Sequence, residues 1–375
     1  MPSYRHYNVL LDKLQYLFYN YIRKIKKEEK IMGNFYDGTK LLSLKDINNK
    51  KPEIYICTTN RSAGKTTYFN RLLVNRFIKQ KKKFACLYRY NYELFDCHTK
   101  FFKEIKELFF NDYTMTSKSR AKGLFYELYI NDENCGYVLA LNSAEQYKKY
   151  SHFFNDVDSI LFDEFQSEFG RYISNELTLF RSIHATIARG GGKQIRYVPT
   201  YLVGNPITLI NPYYVALNIS DKLQYNTKFL RGSGYVLEQG FNISANQAQK
   251  TSAFNAAFYD SDYSAYLSEG VYLKDNLAFI ERPSKISRYI CTIKFKNKYF
   301  AIKECAEDGF IYCDNKIDYT FPTKIAITTK DHAINYVMIE KNSFLINNLR
   351  TLFTHGAFRF KNLECKEAIL SLLSL

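Results

Sequence analysis

The chain has 375 residues, enough for two domains or one large one, and its 46% apolar content is ample for a packed core. Lys and Arg (53) exceed Asp and Glu (37), a formal net charge of +16. An excess of that size favours a polyanion such as nucleic acid, with a lysine-rich genome composition as the plain alternative. The eight cysteines show no CxxC clip and the six histidines do not cluster, which argues against zinc and for reduced thiols in a cytosol. No apolar run reaches the roughly 18–20 residues of a membrane span. No signal core precedes a cleavage site. The expectation is an intracellular soluble protein without a membrane partner.

In chain order, residues 8–30 form the first predicted element, an amphipathic helix with Leu10, Leu14, Leu17, Phe18, Tyr21 and Ile25 on one face. It reads as a docked or partner-binding helix and closes in a solvated charged tail, "RKIKKEEK". A turn and a short helix follow in "NFYDGTKLLSLKDI", then a buried strand at 53–57, "EIYIC". Next come a loop and a helix from Lys65 to about Gln80, with Phe69, Leu72, Leu73 and Phe77 inward. "KFACLYR" (83–89) is a second strand, and "LFYELYI" and "CGYVLAL" flank "NDEN" as a hairpin. "SILFDEF" (159–165) is a further buried strand, 174–189 a helix, and "RYVPTYLVGNP" (196–206) another strand. Strands alternating with helices predict an α/β sandwich on a mainly parallel sheet. From about residue 241 to 271 the chain turns rich in Ala, Ser and Asn, a linker or small helical insert. Residues 272–375 then read as a second domain of strands closed by helices at about 342–353 and 362–374. The implied organisation is 1–33, 34–240, 241–271 and 272–375.

The chemistry gathers in "TTNRSAGKTT". In a phosphate-binding loop, backbone N–H groups converge on phosphates at a helix N-terminus. Thr59, Asn60, Arg61, Ser62, Ala63, Gly64, Lys65, Thr66 and Thr67 are the candidate nucleotide contacts. Lys65 would reach the β- and γ-phosphates and Thr66 would give a hydroxyl to Mg²⁺. Gly-Lys-Thr alone arises by chance; its setting between a strand and a helix is what gives it weight. Thr59 stands where the motif's first glycine is usual, at the exit turn. An apolar strand ending in Asp163 and Glu164 supplies the second half, Asp163 for Mg²⁺ and Glu164 for the attacking water. Two solvated acids at a strand end are the plain alternative. The Asp-Glu pair points to the catalytic-glutamate class of P-loop NTPases, with an extra strand between the two motif strands, for which 83–89 is a candidate. Arg61 reads either as a γ-phosphate contact or as a solvent-facing arginine. Asn205 is either a γ-phosphate sensor or a turn former before Pro206. Arg189, ahead of three glycines, is either an arginine finger for a neighbour's ATP or a helix cap. Arg181 and Arg196 stand in reserve.

Several stretches carry a resemblance beyond the loop: "FYDGTKLLS", "NRSAGKTTYFNRLLVNRFI", "FACLYRYNYEL", "VDSILFDEF", "GNPITLINPYY" and "TLFTHGAFRF". Over about residues 34–375 the chain resembles tailed-phage DNA-packaging ATPases, specifically the encapsidation proteins of phi29-like podoviruses, which are related to terminase large subunits. The helix at 1–30 is extra to that resemblance. The resemblance implies ATP and Mg²⁺ as cofactors and a homopentameric ring at a procapsid vertex in the host cytoplasm. It also implies contacts with double-stranded DNA, the portal and, in the best-known relatives, a structural packaging RNA. By the same resemblance Arg61 falls on the basic residue inside the loop, Asn205 on the motif coupling hydrolysis to movement, and Arg189 near the trans-acting finger. "FYDGTKLLS" falls on the adenine-side segment. The second domain resembles an RNase H-like fold. A nuclease of that fold needs carboxylates converging on two metals about 4 Å apart. Here the first long strand has no acid before Glu304, and Asp308, Asp314 and Asp318 are dispersed, so the expectation is no nuclease. The expected function is an ATP-driven DNA translocase. The rivals are a terminase with a live nuclease and a nucleic-acid-binding scaffold with a degenerate ATP loop.

Overall fold

The computed structural model describes residues 35–168, 172–190, 192, 194–208, 211–219, 222–223, 227–240, 242–257, 278–283, 286–340 and 343–373. The helix expected at 8–30 lies outside these residues. A short helix α1 (Thr39–Ser43) leads to β1 (Ile54–Thr58) and α2 (Lys65–Gln80), then β2 (Lys83–Tyr88) and α3 (Leu94–Phe109). A meander follows, β3 (Met115–Arg120), β4 (Phe125–Ile130) and β5 (Glu133–Ala140), before β6 (Val157–Asp163). Then come α4 (Glu176–Ala188), β7 (Thr200–Gly204), α5 (Pro212–Ala216), the hairpin β8 (Phe229–Gly232) and β9 (Tyr235–Gln239), and α6 (Ile243–Lys250).

These nine strands form one sheet in the order β3-β4-β5-β2-β6-β7-β1-β9-β8. The six from β5 to β9 in that order pair in parallel, and the flanking β3, β4 and β8 pair antiparallel. Parallel strands must be covered on both faces, which is why β1, β2, β6 and β7 read as apolar runs rather than alternations. Alternate side chains enter two cores. Ile56, Leu87, Phe162 and Leu202 pack with Phe180 and Ile183 of α4. Cys57, Cys86, Leu161 and Val203 pack on the other face with Phe69 and Phe77 of α2 and Phe101 and Ile105 of α3.

The strand inserted between β1 and β6 is β7, paired to both in parallel. The candidate for that place, 83–89, lies instead on the far side of β6. The reason is connectivity. From β6 the chain passes through α4 and returns in parallel to the neighbouring slot, which β7 fills. The β4–β5 hairpin forms as expected. The Ala- and Asn-rich segment after β9 contributes α6, which packs back on the first domain through Ala245.

The second sheet is built from β10 (Arg288–Phe295), β11 (Lys298–Cys305), β12 (Phe310–Asp314), β13 (Lys324–Ala326), β14 (Val337–Met338) and β15 (Phe358–Phe360), in the order β14-β13-β10-β11-β12-β15. Helices α7 (Phe344–Thr354) and α8 (Leu363–Leu373) cover one face over Cys291, Ile293, Phe300 and Ile302. Val215 of α5 packs against this second core, so the two units meet along α5 and α8. Among the described residues no helix is long and apolar enough to cross a membrane.

Candidate nucleotide site and family

The site forms at the carboxyl edge of the parallel strands, where β1, β6 and β7 end side by side. β1 runs into the loop 59–64 and the loop into α2. Gly64, at φ 86°, is the residue before the helix, and a Cβ there would lie 2.8 Å from the Phe35 ring. Only glycine meets both conditions without strain. Ser62 is the other left-handed residue of the loop, at φ 63°. Thr59 has no such backbone, so the exit turn does not require glycine. Its side chain is buried, with its methyl 2.8 Å from where a Cβ on Gly240 would stand. Asn60 is fully buried and exchanges two hydrogen bonds with Asn242: its Oδ1 accepts the Asn242 N–H at 2.9 Å and its Nδ2 donates to the Asn242 carbonyl at 3.1 Å. Gln249 of α6 donates to Ser62 Oγ at 3.0 Å. The loop is thus latched to α6, and the side chains of Thr59 and Asn60 are structural while their backbone remains at the site.

Lys65, the first residue of α2, is 7% exposed, and its Nζ donates to Asn205 Oδ1 at 2.6 Å. Asn205 follows β7, so the inserted strand is what carries it between the ends of β1 and β6. Burial holds the Lys65 ammonium below its ordinary pKa against the attraction of Asp163. Burial also pushes the Asp163 carboxyl up to about 6, with Lys65 and a hydrogen bond to Thr66 pulling the other way. Thr66, Lys65 and Asp163 are therefore one cluster. Thr67 points elsewhere, donating to Glu104 Oε1 at 2.9 Å. Arg61 is partly exposed and faces Glu168, Nη2 to Oε2 at 3.5 Å.

Glu164 is exposed, with its backbone at φ 56°. A glutamate in the left-handed region costs of order 1–3 kcal/mol and persists only where the surroundings impose it. They do so here. Its N–H donates to Asp163 Oδ1 at 3.0 Å. Arg89, just past β2, donates to the carbonyls of Glu164 at 3.3 Å and Phe165 at 2.9 Å. Arg89 is held by Glu176, the first residue of α4, which is 0% exposed and also accepts from Tyr213 Oη at 2.7 Å. Burial alone would weaken the Arg89 charge; the Glu176 carboxylate outweighs it. Arg89, Glu176 and Asn242 escaped the sequence reading. Their partners lie 87 and 182 residues away, and no local pattern reports such pairings. Phe35 and Tyr36 do lie on the loop: the Tyr36 N–H donates to the Ala63 carbonyl at 2.7 Å and its hydroxyl to Glu238 Oε2 at 2.7 Å.

Arg189 is exposed at the end of α4. That end faces the start of β6, since a Cβ on Gly190 would lie 2.9 Å from the Asn155 side chain. The seven residues of β6 put about 20 Å between it and Asp163. Arg189 does not belong to its own chain's site. Arg196 donates to the Val157 and Ile187 carbonyls at 3.1 and 2.7 Å and is a brace. In the second domain Lys303 Nζ bridges both oxygens of Asp314 at 3.0 and 2.8 Å, and Arg288 pairs with Glu304 at 2.5 Å. Among the described residues no group of three or more His, Cys, Asp or Glu is placed to hold a metal ion.

Fold and site define a mixed α/β chain with a parallel-rich sheet whose charged and polar residues converge at one strand edge. The family model for the podovirus DNA encapsidation protein (Gp16) matches residues 30–374, and the chain belongs to that family. The DNA packaging protein of Bacillus phage phi29 is 24% identical over 332 residues, 88% of this chain and 93% of that protein. A solved chain of the bacteriophage phi29 viral genome packaging motor assembly has the same fold, with a TM-score of 0.54 and 22% identity, covering 90% of this chain and 99% of that one. The phi28 gp11 DNA packaging motor gives a TM-score of 0.56 at 16% identity, with 91% and 98% covered.

Proposed function

We propose that this phage DNA-packaging protein is an ATP-driven translocase that pushes double-stranded DNA into a procapsid, as one subunit of a homopentameric ring. The observation that carries this reading is the convergence of Lys65, Thr66, Asp163, Glu164 and Asn205 from three adjacent strand ends. The loop 59–64 acts as a P-loop, its N–H groups and Lys65 holding the β- and γ-phosphates. Thr66 and Asp163 would hold Mg²⁺. The oxygen donors suit that ion, and a desolvated carboxyl pushed up to about 6 is short of positive charge. The ion would offset the phosphate charge. Glu164, held outward by its strained turn, orients and activates the water. Asn205 senses the γ-phosphate, Arg61 adds charge beside it, and Arg189 serves the neighbouring subunit's site.

The net charge of +16 supports contact with DNA phosphates, which is independent of sequence. The packaging-motor relatives support action as part of a genome-packaging assembly at the procapsid; the portal and a packaging RNA as partners, and the host cytoplasm as the place, complete the proposed reading. Residues 34–240, with α6 packed against them, would be the ATPase domain, 241–271 a linker or small helical insert, and 272–375 an RNase H-like domain. The order β12-β11-β10-β13-β14, an antiparallel meander with β13 and β14 added in parallel, supports that assignment. Lys303 neutralising Asp314 supports a domain that does not cut DNA.

The test is ATP hydrolysis stimulated by procapsids and DNA. Lys65→Ala and Glu164→Gln should each lose it, by about 10²–10⁴-fold for Glu164→Gln, with ATP binding retained in Glu164→Gln. A wild-type chain that hydrolyses no ATP under these conditions sinks the motor reading.

A further inference from the structure

The residues after Asn205 are gripped from both domains. In the first domain, Gln166 is 3% exposed, and its single side-chain oxygen accepts the N–H groups of Ile207 and Thr208, both at 3.1 Å. From the second domain, Lys366 of α8 reaches across, its Nζ donating to Thr208 Oγ1 at 2.7 Å. Lys366 is 5% exposed and Thr208 7%. The Phe279 ring centroid lies 5.7 Å from the ammonium. Lys366 sits on α8 among Cys365, Ala368, Ile369 and Leu370, all buried. An ammonium there is costly unless it is bonded, and its bond to Thr208 crosses the domain boundary. Between Thr208 and Asn205 stands Pro206, whose ring fixes one backbone angle. With Ile207 the one further residue between them, few free backbone angles separate Thr208 from Asn205.

We propose that Lys366 is a positioning residue of the ATP site, supplied by the second domain. By anchoring Thr208 it sets where Asn205 stands relative to Lys65. The second domain's seating on α5 and the strength of the sensor contact then become one variable. This rests on the ATPase reading above. The rival account is that Lys366 only glues the domains together.

The full-length chain carrying Lys366→Met should be compared with wild type, Lys366→Arg and Thr208→Val in two measurements. One is DNA- and procapsid-stimulated ATP turnover. The other is hydrogen–deuterium exchange over residues 203–208. In Lys366→Met, kcat should fall about tenfold, as for a misplaced contact. The KM for ATP should move less than about twofold. The Ile207 and Thr208 amides should exchange faster, and Lys366→Arg should recover most of the turnover. Thr208→Val removes the Thr208 acceptor without touching α8 and should give the same pattern, with the double variant no worse than either single one. Unchanged kcat and exchange in both single variants overturn the proposal, as do additive losses in the double variant. If Lys366→Met unfolds α8, Thr208→Val decides. A wild-type chain without ATP turnover defeats the proposed function instead, and the exchange data still read whether Lys366 holds the loop.

Discussion

Arg89 and Glu176 meet as an enclosed, two-point ion pair, Nε to Oε2 at 2.8 Å and Nη2 to Oε1 at 3.0 Å. The same guanidinium holds the carbonyls of Glu164 and Phe165, so one side chain fastens β2, the first turn of α4 and the strained turn that presents Glu164. Removing one partner leaves a buried charge without its counterion. Arg89→Met and Glu176→Gln should each cost about 3–5 kcal/mol in urea unfolding. The double variant Arg89→Met/Glu176→Gln should lose less than the sum. Equal additive losses would mean the pair is not coupled.

Asp163 makes stability depend on pH in an identifiable direction. Its folded pKa, about 6, stands above the ordinary 3.8. The folded state thus holds the proton more tightly than the unfolded one. The contribution is fully present below about pH 3.8 and is lost as pH rises through about 6. In metal-free protein with chelator, Asp163→Asn should flatten the fall in stability between pH 4 and 6. A wild-type-like slope in that variant would show that other groups set it.

Within the loop, Thr59 and Arg61 should behave oppositely. Thr59 has no left-handed backbone and packs its methyl on Gly240. Thr59→Gly should cost about 1 kcal/mol in stability and leave turnover within about twofold. Arg61→Ala, removing the charge proposed to lie beside the γ-phosphate, should lower turnover by about tenfold or more. The reverse outcome would reassign the two residues.

Arg189 stands at the wrong end of α4 to serve its own site. In mixed assemblies, Arg189→Ala chains combined with Glu164→Gln chains should recover part of the turnover that each is expected to lack alone. No recovery at any ratio would remove Arg189 as a finger across the interface.

The local elements were largely legible. The strand–loop–helix from β1 to α2, the β4–β5 hairpin and β6 follow from apolar runs, turn residues and helical spacing. Helix α3 and the β8–β9 hairpin went unread, although Phe101, Phe102, Ile105 and Phe109 at helical spacing and the "GSG" before β9 carry their signals. Strand order was not legible. Nothing local to Thr200–Gly204 says that it lies between β1 and β6 rather than Lys83–Tyr88. Lys65, Thr66, Asp163 and Asn205 stood out by residue type and setting. The Asn60–Asn242 latch and the Arg89–Glu176 pair did not, because each joins distant segments whose meeting depends on the finished sheet.

The insertion of β7 also orders the birth of the molecule. The chemistry-bearing loop is complete by residue 67, yet its strand has no neighbour on that side until residues 200–204 have been made and threaded into place. Pairings over such spans are slow to form. A half-synthesised or half-folded chain therefore has the loop 59–64 but no β7 and no Asn205, and the end of β6 that bears Asp163 is not yet joined to β1 through β7. On the proposed function, the chain would become competent to hydrolyse nucleotide only once the sheet is complete.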